Sequence, residues 1–211
     1  MTTGNPRINQ CSKPSGLLGG LVLWRMNSSH SKVTDWGLQH LSIDKQHTIL
    51  DVGCGGGRTV AKLAAIAAQG TVYGIDYSSV AVTATRRMNA QSIQLGRVNV
   101  LLGSVSQLPF SDGTFDVVTA VETHFWWPDL CSDLREVLRV MKPGGTLLII
   151  AEVYKNPNTA KFVKRLAAKT GLILLSAAEH RELLEDAGYT DIRIIEETRR
   201  GWICCLSAKP H

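Results

Sequence analysis

The sequence predicts an α/β fold, a mostly parallel sheet with helices on both faces. Three observations carry that expectation. Short apolar runs of strand length take turns with helix-like stretches along the 211 residues. The runs are continuously apolar rather than alternating, as expected of strands buried on both faces. A glycine-rich turn, "GCGGG" at 53–57, directly follows the first run.

The elements follow in order. Residues 1–46 stand outside the alternation and read as an N-terminal helical extension. Its "LLGGLVLWRMNSSHSKVTDWGLQHL" suggests one or two helices with Trp24, Met26, Trp36 and Leu41, either covering a sheet edge or forming a lid over a ligand. The main domain is expected over 47–211. Strands are expected at "HTILDVG" (47–53), "TVYGID" (71–76), "VNVLLG" (98–103) and "FDVVTAV" (115–121). The Ala-rich stretch 58–69 and the stretch 78–94, which opens on N-capping serines, predict helices between them. A third helix is expected over 128–140, with Pro128 at its start and Leu130, Leu134, Val137 and Leu138 on one face. "MKPGG" (141–145) then turns the chain into a fifth strand, "TLLIIAEV". After helices near 157–170 and 176–187 come "TDIRIIEE" and "GWICCLSA", with no room for a crossover helix. Those two pair antiparallel or do not pair with each other.

Composition narrows the function classes. The net charge of +5 is mildly basic, but the densest cluster is only Lys161, Lys164 and Arg165, short of a nucleic-acid footprint. The five cysteines show neither CxxC spacing nor a disulfide framework, and no metal site is expected. A reducing cytosol is the plain expectation. The apolar stretch near residue 20 imitates a signal peptide, yet no small-x-small site follows and its length cannot span a bilayer. No membrane association is expected.

A glycine turn after the first strand is the usual ligand contact in such sheets, because glycine allows positive φ and close backbone approach. The dinucleotide spacing G-x-G-x-x-G would need a glycine where Arg58 stands, and no Gly-Lys-Ser/Thr of a P-loop follows. What remains is D-x-G-x-G-x-G: Asp51, Gly53, Gly55 and Gly57. This segment resembles motif I of the class I S-adenosylmethionine-dependent methyltransferases. Further stations agree with that family: Asp76 closing the second strand, "GSVSQLPFSDGTFDVVTAVE" (103–122) and "LREVLRVMKPGGTLLI" (134–149).

The resemblance implies a Rossmann-like seven-stranded sheet with an antiparallel last strand, and S-adenosylmethionine as cofactor. It implies a cofactor set of Asp51, Gly53, Cys54, Gly55, Gly57, Asp76 and Tyr77. In that set the glycine turn receives the methionine end, Asp76 accepts from both ribose hydroxyls, and Tyr77 lies against adenine. Where the family commonly has an acid to accept from the adenine amino group, this chain has Ser104. Ser104 and the Val105 backbone are the expected adenine contacts.

The acceptor is expected at "VETHFWWPD" (121–129), beyond the fourth strand. It lacks the Asn/Asp-Pro-Pro-Tyr of nucleic-acid N-methyltransferases and the Pro-Cys of cytosine C5 enzymes. His124 is a candidate general base and Glu122 a candidate contact to cofactor or acceptor. Trp126, Trp127, Tyr154 and Trp36 are candidate walls of an enclosed pocket. The expected function is methyl transfer to a small-molecule acceptor, not nucleic acid. The alternatives are an RNA or protein methyltransferase, a non-catalytic cofactor-binding protein and an NAD(P)-dependent oxidoreductase.

Overall fold

A computed structural model describes residues 31–157, 165, 168 and 171–211. The expected helix near 157–170 lies mostly outside that range, and the residues Trp24 and Met26 lie wholly outside it. The described elements are α1 (Ser31–Leu38), β1 (Thr48–Val52), α2 (Arg58–Ile66), β2 (Thr71–Asp76), α3 (Ser79–Met88), α4 (Ala90–Gln94) and β3 (Val98–Leu102). They continue with β4 (Phe115–Val121), a 3-10 turn (His124–Trp126), α5 (Leu130–Val140), β5 (Met141–Ala151), α6 (Ala177–Asp186), β6 (Thr190–Glu197) and β7 (Trp202–Ala208).

The seven strands form one sheet in the order β3-β2-β1-β4-β5-β7-β6. β1 to β5 run parallel, and β7 enters antiparallel to both β5 and β6. The strand order reverses between β1 and β4, so their C-terminal ends open a crevice there. Apolar residues pack on both faces. Leu50, Val118, Leu147, Ile149 and Cys205 face a large cluster with α5 and α6, while Ile49, Val72 and Val117 face α2 and α3. Adjacent Cys204 and Cys205 accordingly enter opposite clusters and are buried.

The structure departs from the expected elements at two places. The helix expected over 78–94 breaks at Asn89, whose buried side chain donates to the carbonyls of Gly57 and Thr85, both at 3.0 Å. Its amide serves the glycine turn rather than helix continuity. The segment "MKPGG" is the start of β5 rather than a turn before it. Met141 pairs with Phe115, and after a shift in register Thr146 pairs with Val117. Gly144 and Gly145 exchange backbone hydrogen bonds with Lys209.

The N-terminal helix α1 packs on β5 and β7. A Cβ at Gly37 would lie 2.3 Å from Ile150 Cδ1, so only glycine allows that approach. Lys62 of α2 pairs with Asp35 and holds the other side.

Candidate active site

The backbone of the turn that follows β1 is held chiefly by partners on β2 and α3. The N–H groups of Gly53 and Cys54 both donate to the Ile75 carbonyl, at 2.8 and 3.1 Å, and Gly57 N–H donates to Cys54 O at 2.9 Å. Thr85 Oγ1 donates to the Gly55 carbonyl at 2.8 Å. Gly53 (φ 74°) and Gly57 (φ 85°) occupy the left-handed region. A Cβ at Gly53 would fall 2.2 Å from Thr123 Oγ1, and one at Gly57 would fall 2.7 Å from Thr85 Cα. Both positions therefore exclude side chains by conformation and by space.

At the end of β2, Asp76 accepts from Gly55 N–H through Oδ2 and from Ser78 N–H through Oδ1, each at 2.9 Å. These bonds use one lone pair on each oxygen and leave the others for a ligand. Burial raises the Asp76 pKa against the lowering effect of the two backbone bonds.

Asp51 is 2% exposed and accepts from Thr119 Oγ1 at 2.7 Å. Burial, with a further push from Asp76, raises its pKa to about 7 although the Thr119 bond opposes the shift. Nothing that shapes this shift is a cation. Cys54 is also buried, its Sγ 3.6 Å from Thr85 Oγ1, and burial with the nearby Asp51 and Asp76 drives its thiol well above the ordinary value. It is packing, not a nucleophile.

Asp76 stands in the wall of a cavity of about 550 Å³, open mouth included, at the reversal of strand order. Gly53 and Thr123 line one part of it, and Tyr77, Ser104 and Val105 another. Trp126, Trp127 and Pro128 close the apolar side. Tyr77 is 44% exposed and lines the cavity. Ser104 Oγ accepts from Ser106 N–H at 3.2 Å, which leaves its hydroxyl hydrogen for another partner.

The cavity thus collects Gly53, Asp76, Tyr77, Ser104, Val105, Trp126 and Trp127 of the expected set. Asp51, Cys54, Gly55 and Gly57 are not in its lining; they brace the turn behind it. Four other expectations are corrected by placement. His124 is 2% exposed and turns into the core, its Nε2 3.1 Å from His180 Nε2, because the 3-10 turn points it at α6. Tyr154 is buried in the main core cluster beside Glu196 and Asn156, and burial drives its phenol well above the ordinary value. Trp36 packs on Trp202, with ring centroids 5.8 Å apart, at the outer face of β7. Glu122 takes a left-handed φ of 58° and accepts from Glu152 N–H, tying the ends of β4 and β5 together.

Thr123, Pro128, Val52, Ile75 and Gly103 line the cavity without having been named as site residues from the sequence. The first two flank the aromatic pair, and the others sit at strand ends beside residues that were. His180 carried no sequence signal at all. Among the described residues no group of three or more His, Cys, Asp or Glu is placed to hold a metal, and no helix is long and apolar enough to cross a membrane.

The residues fit S-adenosylmethionine. A carboxylate with free lone pairs suits vicinal hydroxyls, and the Tyr77 ring in the cavity lining suits a flat base. The buried Asp51, without a cation among the groups that shape its pKa, suits a ligand with a positive end.

Comparison with known proteins agrees. Residues 50–149 match the model of a family described as "Methyltransferase domain". The O-methyltransferase cnsE of Penicillium expansum is 33% identical over 151 residues, covering 69% of this chain and 54% of that protein. A demethylmenaquinone methyltransferase of Geobacillus sp. (strain WCH70) is 33% identical over 132 residues, covering 60% and 56%. The chain therefore spans about half the length of these curated relatives. A SAM-dependent methyltransferase structure from Aquifex aeolicus aligns over 90% of this chain and 98% of that one with TM-score 0.74 and 22% identity, a likeness of fold.

Proposed function

We propose that the chain is a class I S-adenosylmethionine-dependent methyltransferase, as the family match over residues 50–149 and the curated methyltransferase relatives support, and that it methylates a small-molecule acceptor seated beside the Trp126–Trp127 wall. The observation that carries this reading is the cavity itself. A backbone-braced carboxylate, Asp76, stands in one wall, and the opposite side is aromatic and apolar.

When bound, the cofactor supplies an electrophilic methyl group on a sulfonium, transferred by in-line displacement. The chain's own part is binding, orientation and exclusion of water. Asp76 accepts from the ribose hydroxyls in charge-assisted bonds whose geometry is preset by Gly55 and Ser78. Tyr77 would hold the adenine face, and the Ser104 hydroxyl and the Val105 backbone would hold the base's edge. The glycine turn brings bare backbone to the methionine end, beside the carboxyl group of Asp51. Trp126 and Trp127 present faces that favour a sulfonium and keep water from the reacting atoms.

His124 is no longer proposed as the base, since its ring is buried and engaged with His180. With no imidazole in the described lining, the reading places the catalytic contribution in proximity and a dry, low-dielectric wall rather than in proton abstraction. Glu122 serves to position the β4 end. The name of the Geobacillus relative, a demethylmenaquinone methyltransferase, further supports a small-molecule acceptor.

The test is a panel of small aromatic and quinol-type acceptors scored by release of S-adenosylhomocysteine, with calorimetric binding of S-adenosylhomocysteine alongside. Turnover with at least one acceptor, lost in Trp127→Ala, is expected. Absence of S-adenosylhomocysteine binding would overturn the assignment of the cavity. Gel-shift binding to RNA at physiological salt would redirect the acceptor to a nucleic acid.

A further inference from the structure

His124 and His180 lie 56 residues apart in sequence and meet in the interior, each 2% exposed. The direction of their hydrogen bond is set from α6. His180 Nδ1 faces the Ser176 carbonyl at 2.8 Å, and a carbonyl only accepts, so that nitrogen carries a proton. In the neutral imidazole the other nitrogen is then bare. His180 Nε2 therefore accepts and His124 Nε2 donates, across 3.1 Å. His124 Nδ1 is left as a buried acceptor with no hydrogen-bond partner among the described residues.

We propose that His180 is a positioning residue for the cavity: by accepting from His124 it clamps to α6 the 3-10 turn that carries Trp126 and Trp127 into the wall. The turn's internal bonds are short-range, Trp126 N–H to Thr123 O at 2.9 Å and Trp127 N–H to His124 O at 3.0 Å. Among the described residues a single long backbone bond, Ile173 N–H to Phe125 O at 3.3 Å, ties it to the segment before α6. Among the described residues the His124–His180 contact is the one side-chain hydrogen bond that leaves the turn for another element.

The hydrogen bond needs a neutral His180, and burial disfavours a charge on either ring. A proton on His180 Nε2 removes the acceptor, and one on His124 Nδ1 places a cation in the interior beside the Phe125 ring. The charged groups facing the pair are Glu179 on α6, which favours a proton on His180, and Lys155 after β5, which holds Glu179 at 2.7 Å. Acid therefore admits a proton by letting the turn leave the core, and the wall loosens with it.

The proposal rests on the reading above only in its choice of ligand. The experiment compares the full chain with H180A, H180Q and the double variant H124Q/H180Q, using amide hydrogen exchange and calorimetric binding of S-adenosylhomocysteine. In H180A the Trp126 and Trp127 amides are expected to exchange at least tenfold faster at pH 7.5, with β1 and β2 within twofold of wild type, and the ligand to bind at least fivefold more weakly. H180Q, whose side-chain oxygen accepts from His124, recovers both to within twofold. Between pH 7.5 and 5.5 the wild-type affinity falls at least fivefold more than that of the double variant, which keeps Asp51 and Asp76 and so carries their share of the slope. Wild-type exchange at the turn in H180A, or a double variant with the wild-type pH profile, overturns the proposal. If H180A does not fold, the pH profiles decide; if wild type binds no S-adenosylhomocysteine, the functional reading falls and the exchange rates still decide this one.

Discussion

Asp51 and Asp76 stand at the ends of neighbouring strands and do different work. Asp76 keeps lone pairs turned to a cavity, and its removal deletes two charge-assisted bonds to a ligand, each worth about 1.5–3 kcal/mol. Asp76→Ala is expected to weaken S-adenosylhomocysteine binding tenfold or more; unchanged affinity by calorimetry would refute its role. Asp51 is buried, and its pKa is raised from 3.8 to about 7. An acid whose folded pKa exceeds its unfolded value destabilises the fold progressively as pH rises from the unfolded value through the folded one. Asp51→Asn removes that cost and is expected to raise Tm at pH 8 by about 2–4 °C for each kcal/mol recovered. The same variant should bind the cofactor product more weakly. A lower Tm would show that the carboxylate stabilises the fold, against the sign argued here. Both residues were legible in the sequence, Asp51 because an acid before a glycine turn is a local pattern and Asp76 through the family resemblance. The burial of Asp51 was not, since it depends on Thr119 of a strand 68 residues away.

The elements behave as their local chemistry directs, with exceptions where a distant partner intervenes. Gly53 combines a φ of 74° with a Cβ position 2.2 Å from Thr123 Oγ1. Gly53→Ala is expected to cost about 1–3 kcal/mol of stability, read as a fall in the urea midpoint, and to distort the cavity wall at Thr123. Helix α6 opens with a capping box, Ser176 Oγ accepting from Glu179 N–H at 3.2 Å and Glu179 Oε2 accepting from Ser176 N–H at 2.7 Å. Ser176→Ala should cost about 1 kcal/mol in the same denaturation experiment; a neutral outcome would mean the helix is held by packing alone. The helix expected over 78–94 breaks where Asn89 turns its amide to Gly57, a use invisible to propensity because the recipient is 32 residues distant. "MKPGG" reads locally as a turn, yet Lys209, directly after the last strand, draws its glycines into the sheet.

At the scale of the whole molecule, the buried His124–His180 pair links the cavity wall to α6 and makes stability depend on pH. Burial holds both imidazoles below 6.5 in the folded state. The unfolded chain therefore takes up protons first as pH falls. The pair's full contribution is present above the unfolded pKa and is lost progressively as pH drops below about 6.5. The urea midpoint of wild type should fall between pH 7.5 and 5.5 by more than that of the H124Q/H180Q variant. Equal falls would remove the pair from the acid response.

The alternation of strands and helices, the glycine turn and the aromatic stretch after β4 were legible in the sequence alone, since each depends on residues a few positions apart and on the periods of helix and strand, and Asp76 was legible through the family resemblance; the order of the strands came from the structure. Only the tertiary structure decided where the neighbouring side chains point. It drew His124 away from the cavity to His180 and packed Trp36 on Trp202, while Trp126 and Trp127 were left in the wall. The physical reason is that a loop side chain is directed by the partner that relieves its burial, and that partner comes from another part of the chain.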